Sequence, residues 1–180
     1  DFHKLPNIMG VLNLTPDSVS DGGKFNNKSK GIKHAIEMIK SGANIIDIGG
    51  ESTRPGSKAI KKKIEWKRIN KIIKFISKKI PTSLDTRKSE IMEKGIRLGV
   101  KIINDVSGLS YDPETKNVLK KYKVPFVIQH SQGIPENMQK NPKYKNVLLD
   151  IYDFFEQKII SLRSFGIKHN NIILDPGIGF

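Results

Sequence analysis

Six short apolar runs recur along the chain with a segment of helical period between each pair, and this alternation constrains the fold more than any other feature. The runs are Ile8-Met9-Gly10-Val11-Leu12, Ile45-Ile46-Asp47-Ile48, Thr82-Ser83-Leu84, Lys101-Ile102-Ile103, Pro125-Phe126-Val127-Ile128 and Ile172-Ile173-Leu174. Brief runs rich in β-branched residues suit strands buried on both faces, as a parallel sheet requires. Between them, Ile32, Ala35, Ile36 and Ile39 form one helix face that ends near Gly42. Ile69, Ile72, Ile73, Ile76 and Ile80 mark a second, stopped by Pro81. Further faces carry Ile91, Gly95 and Leu98, then Val118, Leu119 and Tyr122, then Val147, Leu148, Ile151, Phe155 and Ile159, closed by Gly166. The spacing of each set is that of an amphipathic helix.

A βα repeat without hairpin signals folds as a doubly wound open sheet or as a barrel. Two features favour the (β/α)8 TIM barrel. Polar residues stand directly after the strand runs, at Asn13, Glu51, Asp85, Asn104, His130 and Asp175, the end at which barrel enzymes build their sites. No G-x-G-x-x-G follows the first strand, as a dinucleotide-binding sheet would show. No composition shift or linker divides the chain, so residues 1–180 read as a single domain. A whole barrel takes roughly 250 residues. About six strands and five helices are therefore expected here, with the last two βα units missing and the chain truncated at its C-terminal side.

Composition narrows the function classes. The formal charge is +14, which invites nucleic acid. Yet 27 of the 32 basic residues are Lys and only 5 are Arg, and Arg is the better bidentate reader of bases and phosphates. Runs such as Lys61-Lys62-Lys63 and Lys78-Lys79 read as solvated helix faces, so no nucleic-acid partner is expected. There is no cysteine, hence no disulfide or thiolate metal site, which fits a reducing, cytoplasmic setting. No apolar run approaches the roughly 20 residues of a membrane span. Four scattered histidines without H-x-x-x-H spacing give no zinc pattern.

Three segments carry more than generic chemistry. The first strand runs into Asn13-Leu14-Thr15-Pro16-Asp17-Ser18, which opens a polar loop too long for a simple connection. The second ends in Gly49-Gly50-Glu51-Ser52-Thr53-Arg54-Pro55-Gly56, where glycines allow close approach, hydroxyls donate and Arg offers a planar fork for phosphate. The sixth ends in Asp175-Pro176-Gly177. Together these strings resemble the dihydropteroate synthases, a family of pterin-binding TIM-barrel enzymes, over essentially the whole chain.

The resemblance implies a transferase of folate biosynthesis that condenses 6-hydroxymethyl-7,8-dihydropterin diphosphate with 4-aminobenzoate. It implies that Asn13 helps hold Mg2+. Asp85, Asn104 and Asp175 would bind the pterin ring, and Asp85 and Arg54 would serve catalysis. Thr53, Arg54, Pro55 and Phe180 would line the diphosphate and aminobenzoate region. It also implies a homodimer when full length, and neither membrane nor nucleic-acid partners. Val19 stands where the family usually has Phe, and Gln129 and Ser131 flank His130 where methionines are common, so a more polar wall is expected there. Asp105 and Thr86 read as capping residues. Two other readings share the pterin site: a methyltransferase domain serving a corrinoid, and a non-catalytic remnant of the synthase.

Overall fold

The computed structural model describes residues 6–15, 27–53, 56–131 and 143–178. Among them strands and helices alternate as the hydrophobic pattern predicts: β1 Met9–Asn13, α1 Asn27–Lys40, β2 Ile45–Gly49, α2 Lys62–Ile76, β3 Thr82–Asp85, α3 Ser89–Arg97, β4 Ile102–Asp105, α4 Thr115–Tyr122, β5 Phe126–Gln129, α5 Val147–Phe165 and β6 Ile172–Asp175. A 3-10 turn, His169–Asn171, leads into β6.

All pairings are parallel, and the strands stand in the order of the chain, β1-β2-β3-β4-β5-β6. That order decides between the two architectures. Right-handed crossovers that always add the next strand on the same side place every helix on one face. A doubly wound sheet needs a reversal of strand order, and these strands have none. The result is an arc of the (β/α)8 barrel, with helices outside and the concave face free for a site.

Side-chain alternation sorts the strands accordingly. Leu12, Ile46, Ile48, Leu84, Ile103, Phe126 and Ile128 turn outward and are all 3% exposed or less. They meet Ala35 of α1, Ile69, Ile72, Ile73 and Ile76 of α2, Ile91 and Met92 of α3, Leu119 of α4, and Phe155 and Leu162 of α5 in one cluster. Each such side chain, fully buried, stabilises the fold by roughly 1.5–3 kcal/mol. The α2 face is the one the isoleucine spacing marks.

The α5 face differs from the sequence expectation. Asn146 caps the helix by accepting from the Leu149 amide at 3.2 Å, and Gly166 ends it with φ 100°. Phe155 and Leu162 are buried, but Leu148 is 78% exposed and Val147 48%. These two lie on the first turn of the helix. Val11 on β1 and Ile173 and Leu174 on β6 are likewise exposed at the two edges of the sheet. Among the described residues no helix is long and apolar enough to cross a membrane.

Candidate active site at the strand ends

The strand register assembles a polar row from residues far apart in sequence. Asn13 pairs with Gly49, Gly49 with Asp85, and Asp85 with Asn104. Partners in a parallel pair share a face, so Asn13, Asp85 and Asn104 point together into the concave side. Gly49 matters for its missing side chain. A Cβ there would lie 3.3 Å from Asp85 Oδ2 and 3.5 Å from Asn13 Oδ1, so the glycine lets a carboxylate and an amide oxygen approach from either side.

One layer below, Asp47 pairs with Ser83 across β2 and β3. Asp47 is 4% exposed, and its Oδ2 accepts from Asn104 Nδ2 at 3.3 Å. This bond orients the Asn104 amide. Among the described residues, Asp47 Oδ1, Asn104 Oδ1 and Gln129 Nε2 on this face are buried without a hydrogen-bond partner, as are Thr82 Oγ1, Arg87 Nη1 and Asp105 Oδ2 elsewhere. Such unmet capacity is rare in a protein interior and marks a place prepared for ligand or water.

The electrostatics follow from crowding. Burial raises the Asp85 carboxyl well above its ordinary range, and the nearby charges of Asp47, Asp105, Glu65 and Glu51 raise it further. Burial likewise raises Asp47, against the pull of its hydrogen bonds. Asp105 is pushed up to about 6 by burial despite its bonds to Ser107. It faces the helices, and its Oδ1 accepts from the Ser107 amide at 2.8 Å and hydroxyl at 2.7 Å, closing a turn. Neither it nor Thr86 is the helix N-cap the sequence suggests, since Lys88 precedes α3 and Glu114 precedes α4. Thr86 takes a comparable place, accepting from the Lys88 amide at 3.3 Å while its hydroxyl donates to Glu65 at 2.6 Å.

Asp175 pairs in register with Gln129 and therefore shares the concave face two strands beyond Asn104, nearer the strand ends. Its Oδ1 accepts from the Gly177 amide at 2.8 Å, and its carbonyl accepts from the His130 amide at 2.8 Å. Gly177 sits at φ 71°, where a Cβ would run into the His130 carbonyl. Asp-Pro-Gly is thus a turn built to lie against the end of β5. His130 packs edge-on to Phe154, with ring centroids 5.0 Å apart. Burial lowers its pKa, so it is a neutral packing residue at pH 7. Gln129, paired with Asp175, is 3% exposed.

Beyond β2, Thr53 is half-buried at this same end of the sheet. Arg54, Pro55, Phe180 and Val19 lie outside the described residues. Sequence reasoning missed Asp47, which reads as one member of an apolar run. Its only signal is parity: it stands two residues before Gly49, on the face that carries the site. It also missed a buried ion network behind the row. Glu51 accepts from Arg87 Nε at 2.9 Å and Lys88 Nζ at 2.8 Å, and Lys88 reaches Glu65 at 2.6 Å. The Arg87 guanidinium stacks 4.0 Å from the centre of the Tyr111 ring.

The fold is that of a (β/α)8-barrel protein, and the candidate site is the carboxylate- and amide-lined mouth at the C-terminal strand ends. Comparison with known proteins agrees. Residues 9–180 match the family model described as pterin binding enzyme, and the chain belongs to that family. It is 45% identical to a dihydropteroate synthase of Clostridium beijerinckii over 175 residues, 96% of this chain and 62% of the relative. A solved dihydropteroate synthase from Clostridium difficile, crystallised in the presence of pteroic acid, superposes with a TM-score of 0.90 at 42% identity, over 100% of this chain and 67% of that one. A dihydropteroate synthase from Xanthomonas albilineans with 4-aminobenzoic acid gives 0.89 at 34% identity, over 98% and 63%. The chain spans about three fifths of the length of the curated relatives it matches, 62% and 63% of the first two.

Proposed function

We propose that the full-length protein is a dihydropteroate synthase, condensing 6-hydroxymethyl-7,8-dihydropterin diphosphate with 4-aminobenzoate to give 7,8-dihydropteroate and diphosphate. The observation that carries this reading is the Asn13–Gly49–Asp85–Asn104 row, with Asp175 on the same face. A flat ring with adjacent N–H donors and ring acceptors needs carboxylate and amide partners fixed along one wall. The row supplies them from separate strands. The relatives' identity and the solved likenesses support the same assignment.

The chemistry follows from the charges. When diphosphate leaves, positive charge develops on the pterin methylene and spreads into the ring. Asp85 lies among Asp47, Asp105, Glu65 and Glu51, whose charges already oppose its own ionisation. A cationic ring relieves that crowding, so the site favours the developing charge over the neutral ground state. Asp175 adds a second carboxylate on the same wall. Asn104, its amide turned by Asp47, helps hold the ring in plane. The aniline nitrogen then attacks the activated carbon as the carbon–oxygen bond to diphosphate breaks, and the new secondary amine releases its extra proton to the departing diphosphate or to water. No covalent intermediate with a protein nucleophile is required.

The leaving diphosphate falls to Thr53 and Arg54, with Pro55 and Phe180 on the aminobenzoate side, as the resemblance implies. Mg2+ fits as the cofactor. The hard oxygens of Asn13 and Asp85 flank Gly49, while among the described residues no group of three His, Cys, Asp or Glu could hold a metal ion alone. Asn13 would contribute its amide oxygen, with substrate oxygens and water completing the shell, as Mg2+ prefers. When bound, the ion neutralises charge on the departing diphosphate. A single barrel domain, a cytoplasmic setting and a homodimer of the full-length protein belong to this reading.

The test is steady-state kinetics of Asp85→Ala in the full-length protein. Turnover falls by at least about tenfold, equivalent to about 1.4 kcal/mol of barrier. Unchanged kinetics refute the assignment.

A further inference from the structure

Glu51, two residues past the end of β2, is 6% exposed. Its Oε1 accepts from Arg87 Nε at 2.9 Å. Its Oε2 accepts from Lys88 Nζ at 2.8 Å and from the backbone amide of Ile60 at 2.8 Å. Ile60 is where the loop from β2 returns towards α2. One carboxylate therefore joins both ends of that loop, and ties them to two cations that precede α3. A second bond inside the loop, Ser57 Oγ to the Ser52 carbonyl at 2.7 Å, narrows it further. Glu65 anchors the other side of Lys88 at 2.6 Å, and Arg68 holds the Gly50 carbonyl at 2.7 Å.

The four charges, Glu51, Glu65, Arg87 and Lys88, balance two against two behind the site. Burying ion pairs is a poor route to stability, because desolvation offsets most of the attraction; their better-attested use is to fix geometry. What this network fixes is the loop that carries Ser52 and Thr53. We propose that Glu51 is a positioning residue: it sets where Thr53 stands at the mouth of the barrel, and so controls affinity for the phosphorylated tail of the substrate without touching it. This rests on the functional reading above, which assigns Thr53 to the diphosphate region. The described hydrogen bonds of Glu51 come from Ile60, Arg87 and Lys88 and none from Asn104, so it meets the pterin row only through its charge, the last and smallest of those acting on Asp85.

The experiment separates ring from tail. Binding of 6-hydroxymethyl-7,8-dihydropterin and of its diphosphate is measured by titration calorimetry on the full-length protein, on Glu51→Gln, and on Glu51→Gln/Lys88→Met. The double variant keeps the buried charges balanced and serves where the single one does not fold. The diphosphate weakens at least about tenfold in both variants while the unphosphorylated pterin changes by less than about twofold. Equal weakening of the two ligands, or of neither, overturns the proposal. Failure of the unaltered protein to bind the unphosphorylated pterin would overturn the functional reading instead. Amide exchange of the unaltered protein gives a further check. The Ile60 proton exchanges at least about a hundredfold more slowly than an unbonded loop amide, and free exchange also overturns the proposal.

Discussion

Replacing Lys88 with Met tests the buried network at its centre. Lys88 Nζ donates to Glu51 at 2.8 Å and to Glu65 at 2.6 Å, and its side chain is 6% exposed against 6% and 0% for its partners. Methionine fills much the same volume but removes the charge, leaving two carboxylates with one cation behind a site already crowded with Asp85, Asp47 and Asp105. Breaking a buried pair by deleting one partner destabilises by about 3–5 kcal/mol. At roughly 2–4 °C per kcal/mol for a domain of 150–250 residues, that lowers the melting midpoint of the full-length protein by roughly 6–20 °C. Lys62→Met is the control. Its bridge to Glu90 has the same 2.8 Å length, but the partners are 56% and 46% exposed, so solvent screens it and the midpoint should stay where it is. The acid limb supplies a second reading. Burial pushes the Glu51 carboxyl up, but the Ile60 amide, Lys88 and Arg87 outweigh it and hold the group below its ordinary 4.5. A depressed carboxylate stabilises above its unfolded pKa and loses that contribution as pH falls through the folded value, so the unaltered protein loses stability in acid and Lys88→Met loses less. A denaturation loss under about 1 kcal/mol, no larger than the control, would refute the reasoning.

Asp85 has the opposite sign. Its folded pKa lies above the ordinary 3.8, so between those values the unfolded chain releases a proton that the folded one keeps, and stability falls as pH rises. Asp85→Asn should therefore be more stable than the parent at pH 7 but not at pH 3, while losing at least about tenfold in turnover; denaturation curves at both pH values check this. Gly95→Ala places a Cβ against Leu84 Cδ2 between α3 and β3; overpacking of this kind costs about 1–3 kcal/mol, read by urea unfolding and partly recovered by Leu84→Val. Asp47→Ala frees the Asn104 amide and should weaken pterin binding by about two- to tenfold, the worth of one hydrogen bond; unchanged affinity in calorimetry would show that Asn104 is oriented by another group.

Some elements were legible because their signals are local. The isoleucines of α2 repeat at helical spacing, and four of them are buried as that spacing requires. The Asp-Pro-Gly string announces a turn, and Gly177 makes one at positive φ. Polar residues after the apolar runs mark strand ends, and Asn13, Asp85, Asn104 and Asp175 are the last or next-to-last residues of their strands. Other features were hidden. Asp47 looks like an interruption of an apolar run until β2 is paired with β3. The Glu51–Lys88 and Glu65–Lys88 bridges close over 37 and 23 residues, a separation at which spacing carries no pairing information. The start of α5 misled because helical spacing does not say which apolar side chains a neighbour will cover, and Val147 and Leu148 stay exposed.

Hydrophobic period is a short-range property, so the order of strands and helices, and the polar tips at their ends, were determined by sequence alone. Which tips stand side by side was decided by the register of six parallel strands, and which charges neutralise one another by the packing of α2 and α3 behind them. Both depend on contacts between residues remote in the chain, whose identity only folding establishes.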